Sequence, residues 1–250
     1  MTAPAVIVDD VSVMFRMYRE RNDSIKTAIM RGRRSVHEDF VALQDVSLEV
    51  PAGSTFGIIG RNGAGKSTLL KCLARILYPD KGRITTNGKM ASMLELGSGF
   101  HPELSGRENV FLNASILGMS RKAVAAKFDE IVEFAGVGKF IDQPIKNYSS
   151  GMYVRLGFSV AINVNPDILV VDEILAVGDA AFKEKSRQKF VELKESGKTV
   201  IMVTHSTRNI REMCDYAAWL DSGRLVSIGD AKTVSDEYVA SVTADDQQRR

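Results

Sequence analysis

Cysteines, long apolar runs and an excess of one charge are all scarce in this sequence. The 250 residues include two cysteines, Cys72 and Cys214, and no Cys-x-x-Cys or His/Cys ligand spacing, which argues against a disulfide framework or a zinc site of that kind. No apolar run approaches the ~18–20 residues that span a bilayer. The first ten residues lack the basic start and apolar stretch of a secretory signal. We therefore expect a protein of a reducing compartment that reaches a membrane through a partner or a surface element.

Overall charge and composition are those of an ordinary globular protein. The net charge of +2 gives no argument for a nucleic-acid partner, and 44% of the residues are hydrophobic. The charge is unevenly laid out, because basic residues exceed acidic ones in one block, 16–40. A basic surface of this kind suits contact with anionic lipid or a lipid-linked pyrophosphate, although a solvated loop is the alternative.

The order of apolar runs predicts an α/β fold. Runs that suit buried parallel strands are each followed by a loop and a helical pattern, and they occupy 55–60, 168–171 and 199–204. Asn87-Gly88, between two short extended stretches in 83–96, predicts a hairpin. A mostly helical pattern from about 105 to 162 interrupts the alternation, so we expect an inserted helical unit.

The segment Gly60-Arg61-Asn62-Gly63-Ala64-Gly65-Lys66-Ser67-Thr68, called here the phosphate loop, predicts an ATP site. Its glycines let backbone amides turn towards phosphate oxygens, and the next helix begins at the phosphates. Lys66 would neutralise β- and γ-phosphate oxygens, and Ser67 would offer its hydroxyl to Mg²⁺. The predicted phosphate-binding residues are Gly60, Asn62, Gly63, Ala64, Gly65, Lys66, Ser67 and Thr68.

Polar residues follow two other predicted strands at the edge where open α/β sheets bind ligands. Asp172 and Glu173 come directly after the run 168–171, and His205 follows the run 199–204. We assign Asp172 to Mg²⁺ and Glu173 to the general base that activates water. His205, with Lys66 and Glu173, completes the set of predicted catalytic residues.

These pieces, together with Tyr148-Ser149-Ser150-Gly151-Met152 before a predicted helix, resemble the nucleotide-binding subunit of ABC transporters. The resemblance covers about residues 5–240. It implies an α/β fold: a P-loop NTPase (ABC ATPase) core with an N-terminal antiparallel β-subdomain and an inserted helical subdomain. The implied domain is 1–243, with core segments of about 1–90 and 164–243, helical subdomain 91–163, basic insertion 16–40 and flexible tail 244–250.

The resemblance also implies a homodimer that sandwiches two ATP molecules, each with Mg²⁺. The signature motif of one chain, here Ser149, Ser150, Gly151 and Met152, would face the γ-phosphate bound to the other chain. Asp179 resembles the loop that crosses between the two chains. Two integral-membrane permease subunits are the implied partners, docked near the groove around Gly97 to Leu104, and the implied location is the cytoplasmic face of the inner membrane.

Three regions depart from the general family pattern. The signature has Ser150 and Met152 in place of a glycine and a glutamine, and the loop before Asn109 has no glutamine near the metal. Glu95, or Leu96, stands there instead, so Glu95 is a candidate for a metal-bound water. The adenine-stacking aromatic is Phe15 or Tyr18, since the block 16–40 is longer than in most members.

Three stretches resemble the exporters of cell-surface polysaccharide and teichoic acid: 95–109, 148–152 and 171–179. The resemblance then implies that ATP hydrolysis drives transport of a lipid-linked glycan, with no nucleic-acid partner. The glycan stays open among O-antigen, teichoic acid, capsule and galactan. The alternatives are an ABC importer subunit, a soluble ABC ATPase outside transport and an ATP-binding switch without turnover.

Overall fold

The computed structural model describes residues 3–18, 37–93, 99–171 and 179–248. The strands are β1 Val6–Tyr18, β2 His37–Val50, β3 Thr55–Ile59, β4 Lys81–Thr86, β5 Met90–Ser92, β6 Ile168–Val171, β7 Thr199–Val203, β8 Tyr216–Asp221 and β9 Arg224–Asp230. The helices are α1 Lys66–Leu73, α2 Gly106–Ile116, α3 Arg121–Ala135, α4 Ser150–Asn163, α5 Ala180–Glu195, α6 Thr207–Met213 and α7 Ala231–Gln248.

Two sheets form the core. The larger has the order β5-β6-β7-β3-β8-β9, in which β9 alone among its described strands is antiparallel to its neighbour. The smaller is antiparallel, with β1 between β2 and β4. Every residue of β3, β6 and β7 is buried, as their apolar sequences require of central parallel strands. The predicted fold class is confirmed: an α/β core with an N-terminal antiparallel sheet and an inserted helical subdomain.

The predicted hairpin around Asn87-Gly88 is wrong, because β4 and β5 belong to different sheets. β4 pairs with β1, whereas β5 pairs in parallel with β6. The Asn87 side chain donates to the carbonyl oxygen of Pro4 at 2.7 Å, and the amide of Lys89 donates to Asp167 at 3.0 Å. These contacts lead the chain across from one sheet to the other.

The helical subdomain has its own apolar core. Its helices α2, α3 and α4 bury Val110, Ile131 and Leu156 completely. β5, Met90–Ser92, lies in the larger sheet, although the predicted helical subdomain begins at about 91. In the part of the chain described, no helix is long and apolar enough to cross a membrane.

The C-terminal helix is longer than the sequence pattern predicts. α7 continues to Gln248, five residues beyond the predicted domain end at 243 and into the predicted flexible tail. The hydroxyl of Thr243 donates to the carbonyl oxygen of Val239 at 2.9 Å within that helix.

Both cysteines are packing residues. They are unpaired thiols in the apolar cores, and burial raises the pKa of Cys72 to about 11 and that of Cys214 to about 12. A nearby acidic residue acts in the same direction, Asp80 for Cys72 and Asp215 for Cys214. Neither thiol is therefore a candidate nucleophile.

Candidate nucleotide site

The phosphate loop connects β3 to α1 through backbone that requires glycine. Gly63 and Gly65 have φ angles of 83° and 99°, and Gly65 is the residue that precedes the first turn of α1. A Cβ on Gly65 would lie 2.6 Å from the carbonyl oxygen of Ala42. The loop therefore packs so closely on β2 that a side chain at 65 is excluded.

Lys66 closes the loop on itself. Its ammonium donates to the carbonyl oxygens of Gly60 at 2.6 Å and Arg61 at 2.9 Å, and the residue is only 9% exposed. A nearly buried ammonium needs such partners, because desolvation of an unpaired charge is costly. Ser67, by contrast, is exposed in the first turn of α1. Its hydroxyl oxygen is a ligand of the type that Mg²⁺ binds.

A cavity of about 220 Å³ lies beside the phosphate loop. Its described lining comes from β2 and from the loop with the start of α1: Phe40, Ala42 and residues 62–68. The predicted phosphate-binding residues thus face one space, with Gly60 bonded to Lys66 at its base. The lining residues described all belong to the core, and none belongs to the helical subdomain.

The edge of the larger sheet gathers the other predicted groups. β3, β6 and β7 are adjacent and parallel, so the phosphate loop, the residues after Val171 and His205 all follow strands at one edge. His205 is exposed. Its neighbours are fixed, since the amide of Thr204 donates to Ile58 and the hydroxyl of Ser206 caps α6. Asp172 and Glu173 lie outside the described residues.

The signature segment forms the N-terminus of α4. The hydroxyl of Ser149 accepts from the amide of Met152 at 3.2 Å, and Ser150 begins the helix. A Cβ on Gly151 would meet only the Ser149 hydroxyl, at an ordinary 3.9 Å. Ser149 and Ser150 are exposed. The helix therefore presents to solvent an N-terminus that favours anions, and none of its residues is among the described lining of the phosphate-loop cavity.

Asp179 connects α5 to α4. One carboxylate oxygen caps α5 by accepting from the amide of Phe182 at 2.9 Å, and the other lies 3.4 Å from Arg155 on α4. Arg155 is mostly buried, with a side chain 24% exposed. The residue predicted for the dimer loop is therefore also bonded within its own chain to the helix that follows the signature.

An aromatic that the sequence prediction missed, Phe40, lines the cavity. It lies on β2 directly opposite Phe15 of β1, and residues opposed in an antiparallel pair share a face of the sheet. Both rings are partly exposed. Phe15 is thus close to the cavity without lining it, and the side chain of Tyr18 lies outside the described residues. No signal in the sequence identifies Phe40, because its place at the cavity depends on the pairing of β1 with β2.

The remaining predictions fall partly outside the described residues. Glu95 lies outside them, as does most of the basic insertion 16–40. Of that insertion, the described ends form the paired strands β1 and β2, with an exposed ion pair between Arg16 and Asp39. Within the described ranges, no cluster of three acidic, histidine or cysteine side chains is placed to hold a metal ion.

A groove of about 440 Å³ separates the core from the helical subdomain. Leu73 and Arg75 at the end of α1, Lys89 and Met90 near β5, and Ile116 at the end of α2 line it. Ile116 is 61% exposed, an unusually large fraction for isoleucine.

Comparison with known proteins identifies the family. The model of a family described as "ABC transporter" matches residues 43–176. The O-antigen export system ATP-binding protein RfbB of Klebsiella pneumoniae is 44% identical over 94% of this chain and 97% of its own length. The RfbB protein of Myxococcus xanthus is 44% identical over 98% of this chain, which spans 57% of that relative. The teichoic acids export ATP-binding protein TagH of Shouchella clausii is 40% identical, with 94% of this chain and 65% of that relative covered.

Solved structures show the same fold. One is a dimeric post-hydrolysis state of the ATP-binding cassette MJ0796 bound to ADP and Pi. It has a TM-score of 0.70 and 22% identity, and the match covers 90% of this chain and 98% of that one. Another, an ATP-binding subunit of an ABC transporter, has a TM-score of 0.74 at 21% identity, covering 94% and 93%.

Proposed function

The chain belongs to the ABC transporter ATPase family, and we propose that it drives export of a lipid-linked cell-surface glycan across the inner membrane. The observation that carries the proposal is its 44% identity along nearly the whole of an O-antigen export ATP-binding protein. Relatives named for teichoic acid export agree on the class of cargo. The glycan itself, O-antigen, teichoic acid or a related polymer, is not distinguished by this support.

ATP binds in the cavity beside the phosphate loop. The amides of residues 62–68 surround the phosphates, and Lys66 turns its ammonium from the loop carbonyls towards the β- and γ-oxygens. Phe40, with Phe15 beside it, lies where the adenine stacks. The partly exposed rings supply the apolar face that a base requires.

The sheet edge fits Mg²⁺ and water activation. Ser67 offers a hydroxyl oxygen at the cavity, and Asp172 follows β6, which β7 separates from β3 at the same sheet edge; together they suit a hard cation. Mg²⁺ supplies charge neutralisation of the phosphates when it is bound. Glu173 orients and deprotonates the attacking water, and His205, after β7, contacts the γ-phosphate.

Two chains complete two sites. The cavity lining described comes from the core, and Ser149 and Gly151 at the start of α4 are not part of it. A head-to-tail homodimer brings each signature to the partner's γ-phosphate. Two permease subunits receive the motion, and the groove lined by Leu73, Arg75 and Ile116 is the surface on which each docks. The complex places this chain on the cytoplasmic face of the membrane, where 16–40 can also contact lipid.

The test is Glu173→Gln in the full chain. We expect ATP binding to persist and hydrolysis to fall ~10²–10⁴-fold, as for loss of a general base. ATP should then accumulate the variant as a dimer, measured by size-exclusion chromatography with light scattering. Glu195→Gln, at an exposed position near the end of α5, is the matched control and should retain full activity. Near-complete activity in Glu173→Gln would contradict the assignment of the base.

Export is tested in cells that make the glycan. With the Lys66→Ala chain, lipid-linked glycan should stay on the cytoplasmic side of the inner membrane. The unsubstituted chain should restore surface glycan. If the chain co-purifies with a permease whose loss leaves surface glycan unchanged, a different cargo is favoured.

A further inference from the structure

Asn109 is a buried side chain of the helical subdomain with several hydrogen-bond partners. It is completely buried on α2. Its amide oxygen accepts from the backbone amide of His101 at 2.7 Å, and its nitrogen lies within 3.1 Å of the carbonyl oxygens of His101, Leu104 and Ser105. One side chain thus holds residues 101–105, called here the support loop, against α2. Such a network fixes a loop more firmly than its surface exposure suggests.

The support loop is in turn bonded to the segment that precedes the signature. The amide of Ile145 donates to the carbonyl oxygen of Leu104 at 3.0 Å, and the amide of Lys146 donates to that of Pro102 at 3.1 Å. Ser105 and Pro144 form a β-bridge beside them. These bonds between residues 102–105 and 144–146 are called here the ladder. Ile145 is buried, so the ladder is anchored in the subdomain core.

A charged pair closes the ladder. The ammonium of Lys146 lies 2.6 Å from a carboxylate oxygen of Glu103. The hydrogen bond and the charge of Lys146 lower the pKa of Glu103. Lys146 stands three residues before Ser149, and the amide of Tyr148 in between donates to the carbonyl oxygen of Ile145. Little free backbone therefore separates the ladder from the N-terminus of α4.

We propose that Asn109 and the Glu103–Lys146 pair are positioning residues that set where the signature segment lies. The support loop leads directly into α2 of the helical subdomain. A displacement of the loop shifts the ladder, and through it Ser149 and Gly151. The inference rests on the proposed function, because the signature acts only on ATP held by a partner chain.

The test is a charge exchange in the full chain, using Glu103→Lys, Lys146→Glu and the double variant. Each single variant should lower the ATPase kcat roughly fivefold, at the low end of measured couplings between sites. The Kd for ATP should not change, because the cavity beside the phosphate loop is lined by core residues. The double variant should recover kcat to within about twofold, since the opposed charges are restored.

Two measurements separate positioning from stability. Thermal unfolding should change by less than about 2 °C in each charge-exchange variant of Glu103 and Lys146, because an exposed pair contributes little to stability. The matched control is the exposed pair Glu184–Arg187 on α5, whose exchanged variants should keep full kcat. Asn109→Asp should lower kcat while retaining ATP affinity, since it replaces donors by acceptors towards three carbonyl oxygens.

Unchanged kcat in both single variants would overturn the inference, as would a double variant that stays as slow as the singles at equal thermal stability. Failure of the proposed function has a different signature. In that case the unsubstituted chain does not restore surface glycan, while its ATPase activity still allows the charge-exchange series to be measured.

Discussion

Arg155 and Asp179 join the helix that follows the signature to the start of α5. The Arg155 guanidinium lies 3.4 Å from one carboxylate oxygen of Asp179, while the other oxygen caps the helix at Phe182. The carboxylate thus has a capping role and an ion-pairing role. Because its side chain is 63% exposed, we expect capping to dominate its contribution to stability.

Replacement of Asp179 separates the two roles. Asp179→Ala removes the cap and should lower the free energy of unfolding by about 1 kcal/mol, which lowers Tm by about 2–4 °C in a chain of this size. Asp179→Asn keeps a capping oxygen and should stay within about 1 °C of the unsubstituted chain. Differential scanning fluorimetry measures both. Equal losses in the two variants would show that the contact with Arg155 dominates instead.

Phe40 should contribute to nucleotide affinity through the base. Phe40→Ala should weaken ATP binding by ~1–3 kcal/mol, the range for stacking of a base on an aromatic ring. Binding of tripolyphosphate, which has no base, should not change. Competition with a fluorescent nucleotide measures both affinities. Phe40→Trp should preserve ATP binding, and Phe15→Ala should have the smaller effect.

Val41→Ala is the matched control for Phe40, because Val41 is the next residue of β2, is equally exposed and faces the other side of the sheet. Its ATP affinity should equal that of the unsubstituted chain. If Phe40→Ala weakens tripolyphosphate as much as ATP, the residue supports the loop and does not contact the base.

Asp167 should make stability depend on pH in the acid range. A hydrogen bond from the Lys89 amide, then the bond and charge of Lys198, hold the pKa of Asp167 below its usual 3.8. A lowered folded-state pKa stabilises the chain above the unfolded-state value, and this contribution is lost as the pH falls below 3.8 through the folded-state pKa. The Tm difference between the chain and Asp167→Asn should therefore be constant at neutral pH and shrink under acid.

The control for Asp167 is Asp129→Asn, at an exposed position on α3. It removes an equal charge far from the β5–β6 edge, so it reports the general effect of net charge on acid stability. A difference for Asp167→Asn that does not shrink below pH 3.8 would show that the Asn variant loses packing or backbone geometry instead of the charge.

The sequence predicts the parallel core well because its signals are local. The runs at β3, β6 and β7 are continuously apolar, and only a central strand buries every residue of such a run. The hairpin around Asn87-Gly88 failed because a turn signal says that the chain reverses direction locally, not which strands pair. The partners of β4 and β5, β1 and β6, lie far along the chain.

The candidate site also has a part that the sequence predicts and a part that it does not. The phosphate loop could be identified from spacing alone, since its conformation depends on its own glycines. Phe40 could not, because its position depends on the pairing of β1 with β2. That pairing contains register shifts between Val8 and Val11, Val11 and Val13, and Val13 and Met14. Each irregularity changes which residue faces the cavity, and counting along the chain cannot locate it.

Gly63 and Gly65 differ in what selection should act upon. A side chain at 65 collides with the Ala42 carbonyl, whereas a Cβ at 63 meets nothing within 4 Å. A substitution at 65 therefore prevents correct folding. Selection for a folded chain removes it even in a lineage that has lost ATP turnover. Variation at 63 is limited by backbone preference and by the nucleotide, so a decaying copy of the gene should lose Gly63 before Gly65.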